Sequence, residues 1–349
     1  MHAHSEAGRY RTWRVWNLQK EPYKGTSARS KPVLPRATPG WSVAMASRPD
    51  SSGAGHYCWE PLRKQDHEGC LCSLLLPAES RSSAFALRAF NVELAQAVKD
   101  RVSEKTIGLI QMQFGGKKKT VNDLYCDSPP HQRVATELWK AVRKHNLTKR
   151  WPVKITDERE KNLDDKVYHN IQELGNYAKN TQSSLLYLTL EILGIKDLHA
   201  DHATNHVGKT QGIVTCLRAA PCHGSRRKLF LPMGICMLRG VSQEDFLQKS
   251  QNGNVRDVVC DIASQAHLHL KHARSFHESV PVKAFPAFAQ TVALEDYLKK
   301  IRQVDFDLFH PSLQQKNILL PLSLYIQSRR KRYFKKSRKK RCGWQLVNE

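Results

Sequence analysis

With 349 residues, of which 40% are hydrophobic, the chain is long enough to bury a large core. Its formal net charge is +24, from 56 Lys or Arg against 32 Asp or Glu, but the excess sits at the two ends and leaves about +8 for the rest. That distribution excludes a uniformly basic body. Nine scattered cysteines with no CxxC exclude a disulfide scaffold or a zinc knuckle, and read as free thiols in a reducing compartment.

Residues 1–55 are rich in Arg, Ser, Pro and Gly, and Arg9, Arg11, Arg14, Lys20, Arg29 and Arg36 meet few acids. Such a stretch suits a mitochondrial presequence, and equally a non-targeting leader. The first strong periodicity, Ser82 to Val102, carries Phe85, Leu87, Ala89, Phe90, Val92, Leu94 and Val98, and predicts a helix capped by Ser82 or Ser83. Gly115-Gly116 followed by Lys117-Lys118-Lys119 lacks the spacing of a phosphate loop and is expected to be a solvated turn. After Pro129-Pro130, His131 to His145 restarts with Val134, Leu138, Ala141 and Val142 on one stripe. A longer pattern from Asn162 to Gly194 can be stopped by Gly194. Asp164-Asp165, the one DD pair, reads as an exposed helix face.

His206 to Ala219 predicts a further helix, with Pro221 expected to forbid regular helix beyond it. His199, His202 and His206, with His267, His269, His272 and His277 later, raise a zinc reading. A zinc site wants three or four convergent ligands, and these are expected to face solvent or to be hydrogen-bonded. Val255 to His277 and Leu294 to Val304 complete the helices. Nothing alternates at period two for long enough to argue a sheet, so the body is expected to be all-α. The longest apolar runs, Ser184 to Leu193 and Ile318 to Ile326, fall short of the ~20 residues that a spanning helix needs, which leaves only peripheral membrane contact. Residues 329–341 carry ten cations and no acid; with no RNA-binding signature beside them, they read as a basic tail with no nucleic acid expected.

Two of these stretches share a pattern. SLLLPAESRSSAFALRAFNVELAQAVKD, residues 73–100, contains Leu75, Pro77, Arg81, Ala86 and Phe90; GKTQGIVTCLRAAPCHGSRRKLFLP, residues 208–232, contains Gln211, Leu217-Arg218, Arg226, Lys228 and Phe230-Leu231-Pro232. Together they resemble the two substrate-binding segments of the squalene/phytoene synthases, and residues 173–194, with Tyr177, resemble that family's central helix. The resemblance runs from about Tyr57 to Ser328 and implies an isoprenoid-synthase-like helical body at 56–328, between the leader at 1–55 and the tail at 329–349.

Active members of that family join two prenyl diphosphates head to head. Carboxylates one turn apart on two helices hold the Mg²⁺ ions that clamp the diphosphates. Here the register puts Ala95, Gln96 and Lys99 in the first segment's acid positions, and Ala219 and His223 in the second's. Alanine offers no ligand and imidazole is a poor partner for Mg²⁺. The expectation is therefore a non-catalytic member with no catalytic residue, no cofactor and no metal. The resemblance extends to a mitochondrial branch that serves the assembly of respiratory complex I. It implies a peripheral place on the matrix side of the inner membrane, and complex I assembly intermediates or a membrane core subunit as partners. Tyr177, Gln211, Arg218, Arg226, Arg227 and Lys228 form a candidate anion or lipid-headgroup site. A residual prenyl transferase and a lipid-binding module are the alternatives.

Overall fold

The computed structural model describes residues 53–99, 107–126, 128, 131–163, 167–224, 229–250 and 252–330. The leader up to residue 52, Asp164-Asp165, residues 225–228 and the basic run beyond Arg330 lie outside the described residues. Helices succeed one another throughout, and among the described residues there is no strand. The all-α expectation holds.

The chain opens with α1 (Gly53–Gln65), α2 (His67–Leu74) and α3 (Ala78–Lys99). Asp66 caps α2 by accepting from Gly69 N, and α3 begins right after Pro77, four residues earlier than its apolar pattern suggests. Then come α4 (Ile107–Asp123), α5 (Arg133–His145) and α6 (Arg150–Lys161). The Gly115-Gly116 run is not a turn but the middle of α4. Phe114, Val121 and Leu124 are buried on one side of that helix, while Lys117 pairs with Glu93 and Lys118 pairs with Asp157 and Glu160. Packing and charge together outweigh the low helix propensity of two glycines.

The pattern expected to run unbroken from Asn162 is interrupted. Asn162 ends α6, donating from Nδ2 to the Glu158 carbonyl, and Asn170 starts a new helix by accepting from Glu173 N. From there α7 (Ile171–Ala178), a π-helical turn (Lys179–Ser183) and α8 (Ser184–Ile192) run on continuously. Gly194 stops them at φ +69°, as the sequence suggests.

The long α9 (Leu198–Gly224) begins eight residues before its expected start, with Asp197 Oδ1 accepting from Ala200 N. Its first turns look polar in sequence, but Ala200, Ala203 and Val207 make a buried stripe of small residues. Pro221 does not end it. The helix continues to Gly224, because the ring removes only the bond to the Leu217 carbonyl, close to the last turn. After α10 (Met233–Leu238) and α11 (Gln243–Leu247) come α12 (Gly253–Ser275) and a 3-10 turn (Val282–Phe288). The described chain closes with α13 (Thr291–Gln303), α14 (Pro311–Gln314) and α15 (Leu320–Arg329).

Two apolar clusters hold this assembly. One gathers α9, α12, the 3-10 turn and α13; the other gathers α1, α3, α4 and α5. The α8 helix contributes to both, with Leu186 and Leu190 in the first and Leu185, Leu188 and Ile192 in the second. Against the π-helical turn and α7, α9 is packed so closely that a Cβ at Gly208 would lie 2.5 Å from Ser183 N, and one at Gly212 would lie 2.2 Å from Ala178 Cβ. Gly208→Ala should therefore destabilise the protein by about 1–3 kcal/mol in urea denaturation, the usual cost of overpacking. Gly115→Ala and Gly116→Ala meet open space in an exposed helix interior, so each should stabilise by about 1 kcal/mol.

Candidate functional site

Two carboxylates at the start of α2, the cap Asp66 and Glu68 of the first turn, take arginines from two other helices. Buried Arg88 of α3 donates from Nη1 to Asp66 Oδ2 at 2.7 Å and from Nη2 to Gln290 Oε1 at 3.4 Å. Arg218 of α9 donates from Nη1 to Glu68 Oε2 at 2.8 Å and lies over the Tyr297 ring, 4.6 Å from its centroid. The first guanidinium is thus compensated in a dry environment, and the second in a partly wet one. The Arg218 pair, about a third exposed, contributes only about 0–1 kcal/mol.

Along α9, Gln211, Thr215 and Arg218 recur at the spacing of one helix face, and Gln211 Nε2 reaches Thr215 Oγ1 at 3.3 Å. Cys216 donates to the Phe230 carbonyl at 3.0 Å, and burial pushes its thiol up to about 12. Tyr177 is half-buried and its ring sits 5.8 Å from that of Tyr168. Burial raises the Tyr168 hydroxyl far above the ordinary tyrosine range, with Tyr177 and Cys216 adding to the effect and Arg159 opposing it. Burial likewise raises Tyr297, which lies within electrostatic reach of Arg218 and Cys216.

Of the residues proposed for an anion site, Tyr177, Gln211 and Arg218 are described; Arg226, Arg227 and Lys228 lie outside the described residues. Arg218 already has a carboxylate. The cation that sequence reasoning missed is Arg159 of α6. It is 8% exposed, donates from Nη2 to Asn91 Oδ1 at 2.8 Å, and leaves its Nε without a partner. Among the described residues no carboxylate pairs with it. Its apolar surroundings could have been inferred from Pro152, Ile155 and Thr156, which form the buried face of α6 with it.

The positions that the resemblance assigns to metal-binding acids do not fit Mg²⁺. Ala95 is exposed and Gln96 half-exposed on α3, and Ala219 is half-buried on α9, so none of them offers a carboxylate. The side chains of Lys99 and His223 lie outside those described.

Because α9 starts earlier than expected, His199 and His202 stand on it with His206 rather than before it. As the sequence suggests, they face solvent or are hydrogen-bonded: His199 and His202 are exposed, and His206 Nδ1 lies 3.1 Å from His269 Nδ1 on α12, with the His272 ring 5.4 Å away. His202 stacks on Phe276. Among the described residues no three His, Cys, Asp or Glu side chains are arranged to hold a metal ion. The pair instead belongs to the α9–α12 contact.

The Squalene/phytoene synthase family model matches residues 62–323. The chain is 76% identical over 315 residues to the Bos taurus protein named NADH dehydrogenase (ubiquinone) complex I, assembly factor 6, covering 90% of this chain and 94% of that one. It is 74% identical over 314 residues to the Homo sapiens protein of the same name, covering 90% and 93%. In fold it is similar to the squalene synthase from Alicyclobacillus acidocaldarius, with a TM-score of 0.65 at 13% identity, covering 73% of this chain and 95% of that one.

His206 and His269 are both held neutral down to about 4. Burial is the main cause for each; His272 and Lys209 add to it at His206, and His206 and Lys209 add to it at His269. In the unfolded chain the same rings titrate near 6.5. Their contribution to stability is complete above that value and is lost as pH falls toward 4, because the unfolded state then binds more protons. Urea midpoints should fall between pH 7 and 4.5, and His206→Gln/His269→Gln should show a shallower fall than wild type.

Proposed function

Because this chain belongs to the squalene/phytoene synthase family, we propose that it is a member kept for its shape, acting without catalysis in the assembly of respiratory complex I. The observation that carries this reading is 76% identity, over 90% of the chain, to a protein named as a complex I assembly factor. The acid positions support it. With Ala95, Gln96 and Ala219 on the two helices, no pair of carboxylates one turn apart is available there to neutralise a diphosphate.

In this reading residues 1–55 direct the chain into mitochondria, and the helical body at 56–328 lies peripherally on the matrix side of the inner membrane. It would act there on complex I assembly intermediates that contain a membrane core subunit. Among the described residues, no helix is long and apolar enough to cross a membrane, which accords with peripheral attachment. Cells depleted of the protein should lose complex I holoenzyme on native gels and regain it when this chain is re-expressed. Normal complex I after complete loss would end the reading. Turnover of farnesyl diphosphate with Mg²⁺ by the purified protein would restore the enzymatic alternative.

Arg159 favours a second, compatible reading in which the interior binds an anionic group such as a lipid phosphate. A guanidinium removed from water, with no carboxylate pairing with it among the described residues, is costly, and a bound anion would compensate it. Tyr177, Gln211, Arg218 and residues 226–228 remain the other candidate contacts, with Arg218 shared with Glu68. Inorganic pyrophosphate should raise the melting temperature of wild type in a concentration-dependent way and leave Arg159→Met unmoved. Without anion, Arg159→Met should be at least as stable as wild type. A strongly destabilised variant, together with no pyrophosphate effect on wild type, would make Arg159 a purely structural residue.

A further inference from the structure

The end of the described chain carries apolar side chains on two opposite faces. Leu320 and Leu324 of α15 are buried, one turn apart, against the body. Leu322, Tyr325 and Ile326 fall on the opposite side at the spacing i, i+3, i+4, where they are 55%, 47% and 39% exposed. Ile318 and Leu319, immediately before the helix, are 88% and 65% exposed. Five large apolar side chains thus crowd nine residues of surface, where single exposed hydrophobics would be unremarkable.

The segment is held firmly. Asn317 donates from Nδ2 to Asp296 Oδ2 at 2.9 Å and accepts from Leu319 N at 2.9 Å, which fixes the entry to α15 against α13. The exposed stripe is therefore presented on an anchored helix.

Charge selects the occupant. From Ile318 to Arg330 there is no acidic residue, and the stripe continues at i+7 into Arg329. That guanidinium lies 5.5 Å from the Tyr325 ring centroid and donates from Nε to its hydroxyl at 3.2 Å. Arg330 follows, and the sequence then adds eight more cations by residue 341 without one acid. An apolar stripe leading into an aromatic ring, an arginine and a polybasic segment combines the two signals that a stable interfacial contact requires: apolar insertion and attraction to anionic headgroups. An acidic protein groove would satisfy the cations, but it would not call for five exposed aliphatic and aromatic side chains beside them.

We propose that Ile318, Leu319, Leu322, Tyr325 and Ile326 form the face by which this protein lies on an anionic lipid bilayer, with Arg329 and Arg330 at headgroup level. The inference rests on the peripheral membrane placement proposed above and names the surface responsible for it. Binding through this face inserts side chains only to the depth of the headgroup and acyl boundary, so α15 lies in the membrane plane.

The test uses the full-length protein and co-sedimentation with phosphatidylcholine vesicles, with and without phosphatidylglycerol. Wild type should bind the anionic vesicles and bind the neutral ones at least about tenfold less. Raising salt should weaken that binding but leave a resistant fraction, because apolar insertion is not screened. Leu322→Ser/Ile326→Ser, which removes exposed apolar surface without changing charge, should lose the salt-resistant fraction while keeping the wild-type melting temperature. Arg329→Gln/Arg330→Gln should weaken binding at low salt.

Equal binding by wild type and Leu322→Ser/Ile326→Ser at every salt concentration would overturn the proposal and leave the basic segment as the whole of the attraction. Failure of wild type to bind anionic vesicles would also overturn it. If complex I rescue in depleted cells were then still lost in Leu322→Ser/Ile326→Ser, the face would belong to a protein partner. Vesicle binding is read without complex I, so a failure of the assembly reading and a failure of this surface are distinguishable.

Discussion

The contact of α9 with the π-helical turn and the end of α7, made by Gly208 against Ser183 and Gly212 against Ala178, sets the position of nearly everything else. Two glycines one turn apart let the backbone of one helix rest directly on that of another. The seam brings Ser183 Oγ to the Asn205 carbonyl at 3.1 Å. With one side of α9 pressed there, its neighbouring side packs on α12 through Val207, Val214 and the Thr210 hydroxyl, which donates to the Ala266 carbonyl at 3.2 Å. The remaining face, with Gln211, Thr215 and Arg218, is thereby turned to its present surroundings. A helix fixed by its backbone on one side and by small and branched side chains on the other has little freedom to rotate.

Given that frame, the buried charges follow one pattern. Arg88 has Asp66, and Arg274 has Glu295 at 2.7 Å. Each is a guanidinium held in a largely dry place by a carboxylate from another helix, so removing one partner would leave an unpaired charge. Arg218 is treated in the same way, by Glu68 and the face of Tyr297. Asp66 and Glu68, at the start of α2, thus neutralise cations on α3 and α9, the two helices on which the family resemblance would place metal-binding acids at the positions of Ala95, Gln96 and Ala219. Arg159 is the departure, satisfied by an amide alone among the described residues.

Long apolar periodicity made α3, α5, α12 and α13 legible from sequence to within a few residues, because each buries one continuous stripe. The start of α9 was illegible for a physical reason: its buried positions there are Ala200, Ala203 and Val207, whose burial comes from close approach rather than from bulk. The break before α7 was hidden because Asn162 and Asn170 act through side-chain bonds to backbone, a signal easily lost inside an apolar rhythm. Gly115-Gly116 was misread because the carboxylates that fix the neighbouring lysines come from Glu93, Asp157 and Glu160 on other helices. At the candidate site the sequence pointed to Gln211, Arg218 and Tyr177 through family likeness. Neither Arg218's partner, 150 residues away, nor the burial of Arg159 against Asn91 could be read without the fold.

Two short apolar helices show how the same composition comes to different ends. SLLYLTLEI in α8 and LPLSLYIQSR in α15 both carry leucines and isoleucines around most of their circumference. A helix apolar all round must find partners on more than one side. α8 finds both within the chain, with Leu186 and Leu190 entering one cluster while Leu185, Leu188 and Ile192 enter the other. α15 finds one: Leu320 and Leu324 are covered, while Leu322, Tyr325 and Ile326 are not. Apolar run length alone would rank the two together. What separates them is that α8 is flanked by two layers of the fold, whereas α15 follows the last of those described and leads into a run with ten cations between residues 329 and 341. The unmatched side of α15 is therefore a demand that the described chain does not meet from its own residues.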